Sequence, residues 1–145
     1  MLAFLPVVTN VGEGWPHMES IEPVPSVSER GPLTAITRGI VKMHSEYFGK
    51  GPTRAKTERV GPDLVICVLR DALTPVEQTL VARGRGEQVR SLRRSFQDVM
   101  EQEFRDVVER SLDRKVVAFM SQVSLDPDIA AELFFLAPDG PGPSG

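Results

Sequence analysis

Apolar and polar positions along the chain fall into blocks of different period, and the blocks predict the elements. Leu33, Ile36, Ile40, Met43 and Tyr47 recur at helical spacing, with Val41 and Phe48 widening the apolar face. Gly49-Lys50-Gly51-Pro52 ends that helix, because glycine permits a left-handed cap and proline cannot continue the hydrogen-bond ladder. Residues 53–60 alternate weakly and read as a polar-faced edge strand, followed by a turn at Gly61-Pro62-Asp63. The run Leu64-Val65-Ile66-Cys67-Val68-Leu69 is apolar at every position, which predicts a central strand covered on both faces and paired with its predecessor in a hairpin. Thr74-Pro75-Val76-Glu77 opens a short helix: threonine caps free amides, proline suits the first helical position, and Glu77 completes a capping box. After Gly84-Arg85-Gly86 a long helix runs over residues 87–112. Its apolar stripe is predicted at Val89, Leu92, Phe96, Val99, Glu103/Phe104, Val107 and Ser111/Leu112. Strands over 115–123 and 131–136, joined by a turn at Asp126-Pro127-Asp128, complete the pattern.

The order is αββααββ, an α+β fold. Its natural closure is a small four-stranded, mostly antiparallel sheet with the helices packed on one face and the long helix between the two hairpins. Residues 29–137 form the predicted domain. Residues 1–28 carry Pro6, Pro16, Pro23 and Pro25 without periodicity, so they are expected to be a disordered extension, with Met18 as an alternative start. Residues 138–145, rich in glycine and proline, read as a disordered tail.

Composition narrows the function classes. A formal charge of −3 argues against a dedicated nucleic-acid binder. No apolar stretch approaches the length of a membrane span, so direct membrane insertion is not expected, and the short apolar start lacks the features of a signal peptide. The single cysteine, Cys67, lies among branched apolar residues and reads as a small core hydrophobe in a reducing, cytoplasmic setting.

Candidate chemistry is sparse. His44, beside Met43 and near Glu46, could serve as an acid–base group, but a histidine without a partner more often sits at a surface or boundary. His17 falls in the extension. Asp126-Pro127-Asp128 offers carboxylates, yet a proline turn explains it and Ca²⁺ would need more oxygens. No catalytic residue, metal centre or cofactor is expected.

The long helix stands out for its charges. Arg83, Arg85, Arg90, Arg93 and Arg94 cluster at its start, and Asp98, Glu101, Glu103, Asp106 and Glu109 follow, against the preference of the helix dipole. Two copies packed antiparallel would match basic half to acidic half, giving a homodimer through Arg90, Arg94, Phe96, Asp98, Glu101 and Asp106. The alternatives are a solvated helix, or a small-anion site for phosphate or bicarbonate formed by Gly84, Arg85, Gly86, Arg90, Arg93 and Arg94 at a helix N-terminus. Nucleic acid is disfavoured there because aromatic side chains do not interleave with the arginines.

Several segments together resemble the bacterial MpsC-like family, a domain of unknown function named after a Na⁺-translocating membrane-potential-generating system. They are Ile40-Val41-Lys42-Met43-His44-Ser45-Glu46-Tyr47-Phe48-Gly49-Lys50-Gly51-Pro52, Leu64-Val65-Ile66-Cys67-Val68-Leu69 and Leu73-Thr74-Pro75-Val76-Glu77. Gly84-Arg85-Gly86, Arg93-Arg94-Ser95-Phe96-Gln97 and the run over 115–136 complete the set. The resemblance implies a small cytoplasmic accessory protein of membrane systems for cation transport and inorganic-carbon uptake, binding a membrane transport complex without itself being an enzyme. It supplies no catalytic residues. Relatives often carry an Asn-His pair where this chain has Val123-Ser124, so a site resting on that histidine would be lost here.

Overall fold

The structure is a computed structural model that describes residues 3–6 and 31–138. Its elements are β1 (Ala3–Pro6), α1 (Pro32–Phe48), β2 (Arg54–Val60), β3 (Leu64–Arg70), α2 (Pro75–Ala82), α3 (Gly86–Leu112), β4 (Val116–Ser124) and β5 (Ile129–Leu136). From α1 onward this is the predicted αββααββ order, with α3 between two hairpins. The sheet is antiparallel, in the order β1-β2-β3-β5-β4.

Strand β1 corrects one expectation. Residues 3–6, read as part of a disordered extension, pair with β2 from Ala3 opposite Thr57 to Pro6 opposite Arg54. They add a fifth strand to the predicted four. An edge strand of ordinary backbone pairing needs little side-chain pattern, and β2 had an open edge to offer. The remainder of the 1–28 extension, with His17, lies outside the described residues, as does most of the 138–145 tail.

Local signals account for the helix boundaries. Helix α1 ends at Gly49, whose φ of 77° is the left-handed cap that glycine adopts without strain. Helix α2 starts on the predicted capping box: Thr74 Oγ1 accepts from the Glu77 amide at 3.2 Å and Glu77 Oε1 accepts from the Thr74 amide at 2.8 Å. Gly39 lets α1 approach α3, because a Cβ there would lie 2.8 Å from Val107 Cγ1.

One face of the sheet packs against the helices. Ile36, Ile40 and Met43 of α1 and Met100, Phe104 and Val108 of α3 close over Ala55, Val65, Cys67, Leu69, Val116, Ala130, Phe134 and Leu136. Burying an aliphatic or aromatic side chain of this size contributes about 1.5–3 kcal/mol, which makes this face the main apolar source of stability among the described residues.

The buried stripe of α3 differs from the predicted one. It consists of Val89, Arg93, Gln97, Met100, Phe104 and Val108, while Leu92 and Val99 are exposed at 53% and 78%. A hydrophobicity reading skips an arginine and a glutamine, and here both point inward. The expectation for β3 is corrected too. Its inner positions Val65, Cys67 and Leu69 are covered, but among the described residues no helix packs on Leu64, Ile66 and Val68.

Candidate functional site

Polar side chains from four elements meet beneath the helices. Arg93, buried on α3, donates from Nε to Glu77 Oε2 at 2.8 Å and from Nη2 to Glu77 Oε1 and to the Ala72 carbonyl at 3.0 Å. Its guanidinium carbon lies 3.8 Å from the centroid of the Phe48 ring. Burial pushes the Glu77 carboxyl up, but the Arg93 and Thr74 bonds outweigh it and hold the group below its ordinary value. Glu77 therefore serves as capping residue and as buried counter-ion. Only the capping role was legible in the sequence.

His44 is fully buried rather than at a boundary. Its ring lies between Phe48 at 5.8 Å and Phe104 at 5.9 Å, and Nδ1 sits 3.1 Å from the Ile40 carbonyl. That contact makes Nδ1 the protonated nitrogen of the neutral ring, and Nε2 has no partner. Desolvation lowers the pKa to about 4, so the imidazole is neutral and packs as an aromatic. Cys67 is equally enclosed, and burial pushes its thiol up to about 12.

Further along α3, Gln97 Nε2 reaches Glu132 Oε2 on β5 at 3.4 Å. Glu132 is wholly buried, with Cys67 of β3 on one side in register and Ser121 of β4 on the other. Burial raises its carboxyl to about 7, against the favourable influence of Ser121, Arg93 and Gln97. Glu132 Oε1, Gln97 Oε1 and Ser121 Oγ have no hydrogen-bond partner. Outside them a groove of about 150 Å³ opens between α3 and the edge strand β4, lined by Arg90, Arg93, Arg94, Gln97, Phe119 and Ser121 among others.

The structure separates the predicted anion site. Gly84 and Arg85 are exposed in the α2–α3 link, with Gly84 at φ 80°. Gly86 begins α3 against Leu125. Arg93 is turned inward and bound to Glu77, and it meets Arg90 and Arg94 only along the α3–β4 groove, away from Gly84 and Arg85. Arg90 pairs with Glu87 at 3.3 Å and donates to the Val123 carbonyl. Of the predicted dimer contacts, Arg94 and Asp98 are exposed. Glu101 is paired with Arg105 at 2.7 Å, and Asp106 accepts from Gln102 at 2.9 Å. Phe96 packs 4.4 Å from Phe48. The Asp-Pro-Asp turn is structural, because Asp128 accepts from the amides of Ala72 and Leu73. Among the described residues no three His, Cys, Asp or Glu side chains come together as a metal centre, and no helix is long and apolar enough to cross a membrane.

The second notable surface is the sheet face turned away from the helices. In register it carries Leu64 beside Phe135, Ile66 beside Leu133 and Val68 beside Ala131, with Met120 of β4 next to Leu133. These side chains are half-buried except Met120, which is exposed at 55%. Lys56 and Glu58 of β2, 3.9 Å apart, flank the patch.

No curated protein and no solved structure matches the chain. The family model described as Na⁺-translocating membrane potential-generating system (MpsC) matches residues 33–138, from the start of α1 to just past β5. The chain belongs to the MpsC family.

Proposed function

We propose that this chain is a non-enzymatic, cytoplasmic accessory component of a Na⁺-translocating membrane system, acting through protein binding as a homodimer built on residues 29–137. The family supplies the transport context. The observation that carries the dimer is the apolar sheet face. Among the described residues no helix covers the patch of Leu64, Ile66, Leu133, Phe135 and Met120. The apolar surface it leaves in water costs about 25 cal/mol per Å², and a second sheet laid on it removes that cost.

The second copy is the occupant that the flanking charges favour. Lys56 and Glu58 are successive outward residues on β2. A two-fold axis lying across the strands between their rows sets each copy's Lys56 against the other copy's Glu58 while the apolar rows stack.

Light scattering on the full chain at micromolar concentration tests this reading. A dimer that Ile66→Lys converts to a folded monomer supports it. A wild-type monomer defeats it. Capture of a membrane transport protein by the wild-type chain tests the accessory role, and the absence of any such capture counts against it.

A small-anion site is the second reading, favoured by exposed Arg94 at the mouth of the α3–β4 groove. Phosphate or bicarbonate would then raise the melting temperature, and Arg94→Ala would abolish the rise.

A further inference from the structure

The two edges of the sheet are guarded differently. The charged strand β2 has its outer edge paired with β1, whereas β4 ends the order β1-β2-β3-β5-β4 and pairs only with β5 among the described residues. Strand β4 holds no charged residue and no proline, the devices that keep an open edge from pairing. Only its ends are closed. The Val116 amide donates to Glu109 Oε2 at 2.9 Å, the Val116 carbonyl accepts from Arg105 at 3.1 Å, and the Val123 carbonyl accepts from Arg90 at 3.3 Å. Because Val123 offers its carbonyl outward, the alternation of an antiparallel ladder turns the amides and carbonyls of Phe119 and Ser121 outward as well.

The same contacts fix how α3 lies along that edge. Arg90 reaches one end of β4 and Arg105 the other, so the helix runs antiparallel to the strand. From Arg90 to Arg105 is about 22 Å at the helical rise, and from Val123 to Val116 about 23 Å at the strand rise. Arg94 therefore stands level with Ser121 and Asp98 level with Phe119, and all four line the groove between helix and strand. Arg94 and Asp98 are exposed, and among the described residues neither has a hydrogen bond or an ion pair. Their separation of about 6 Å along the helix matches the roughly 6.6 Å between side chains two apart on one face of a strand.

We propose that the open edge of β4 receives an extended segment of a partner protein as a sixth, antiparallel strand, with an acidic side chain facing Arg94 and, two residues later, a basic one facing Asp98. Antiparallel pairing runs the segment from Ser121 towards Phe119, which sets the acid before the base. Main-chain bonds to Phe119 and Ser121 hold it, and the charged pair fixes its register. A groove of about 150 Å³ has room for such side chains but not for the helix that a second copy would bring. This site deepens the protein-binding reading by giving the partner's chemistry, and it does not depend on the sheet-face dimer.

The test is amide hydrogen exchange of the full chain, followed by NMR, with two synthetic peptides of one composition: Thr-Val-Glu-Val-Lys-Val-Thr and Thr-Val-Lys-Val-Glu-Val-Thr. At saturation the acid-first peptide should slow exchange of the Phe119 and Ser121 amides by about tenfold or more. It should bind roughly fivefold more tightly than its charge-exchanged twin. Reversing the exposed wall with Arg94→Glu and Asp98→Lys together should invert that preference, and N-methylating the Glu and Lys amides of the peptide should abolish binding. The Ile66→Lys chain should bind as tightly as wild type, which separates this result from the fate of the dimer. Equal binding of the two peptides, a preference that the reversed wall retains, or unchanged exchange at Phe119 and Ser121 with both peptides would overturn the site. An Ile66→Lys chain that stays dimeric, with those amides already slow to exchange, would give the edge to a second copy and overturn it too.

Discussion

Both faces of the sheet depart from a simple division into apolar inside and polar outside. The covered face is mainly apolar but holds buried polar groups, and the outer face mixes apolar side chains with Lys56 and Glu58. The face beneath the helices carries Thr57, Ser121 and Glu132 and is met by Arg93, Gln97 and His44. The face away from them carries Leu64, Ile66, Leu133 and Phe135. Buried charge is a poor source of stability, since desolvation offsets most of the attraction, and apolar side chains facing water gain nothing. The difference teaches where burial and polarity part company: the inner face holds a polar cluster beside a groove, and the outer face keeps apolar side chains that the proposed dimer contact would cover.

The sharpest way to break the comparison is at the inner ion pair. Arg93→Ala leaves Glu77 buried without its counter-ion and should cost about 3–5 kcal/mol in urea unfolding, whereas the double change Arg93→Met with Glu77→Gln should recover much of it. Neighbouring positions on β3 give the next contrast. Leu69→Ala, on the covered side, should cost roughly 2–5 kcal/mol, and Ile66→Ala, on the outer side, well under half of that once the protein is monomeric.

The buried titratable groups predict a pH profile of two opposed limbs. Glu132 has a folded-state pKa raised to about 7, so the folded protein holds its proton more tightly. Stability from this group is full at low pH and falls, by an amount on the order of 3 kcal/mol, as pH rises from about 4.5 to 7. His44, lowered to about 4, acts in reverse: its contribution is full above about 6.5 and is lost as pH falls toward 4. Glu132→Gln should remove the Glu132 limb from denaturation midpoints measured across pH, and His44→Phe the His44 limb. The smallest effect is local. Thr74→Ala should cost about 1 kcal/mol, read by the same unfolding, with no change in oligomeric state.

The fold was legible wherever a short-range signal fixed it. Gly49 ended α1, Thr74 with Glu77 began α2, and the unbroken apolar run from Leu64 marked the central strand. Strand β1 was not legible, because edge pairing is made by backbone atoms and leaves no side-chain period. The site was less visible than the fold. Arg93, Gln97 and Glu132 look like surface residues in any reading that equates charge with solvent. Their burial depends on partners 16 and 35 positions away, Glu77 and Glu132, that no local window joins. The one available clue was a mismatch: the i, i+4, i+8 row from Val89 passes through Arg93 and Gln97, while the apolar choices Leu92 and Val99 lie on its other side.

The claim on which the account turns is that the uncovered sheet face is a contact between two copies, and the molar mass of the full chain in solution tests it most directly. Light scattering at micromolar concentration should give twice the 16.0 kDa chain mass, falling to one chain mass for Ile66→Lys with its far-ultraviolet circular dichroism unchanged. A wild-type mass of one chain, or a dimer that Ile66→Lys leaves intact, would contradict it.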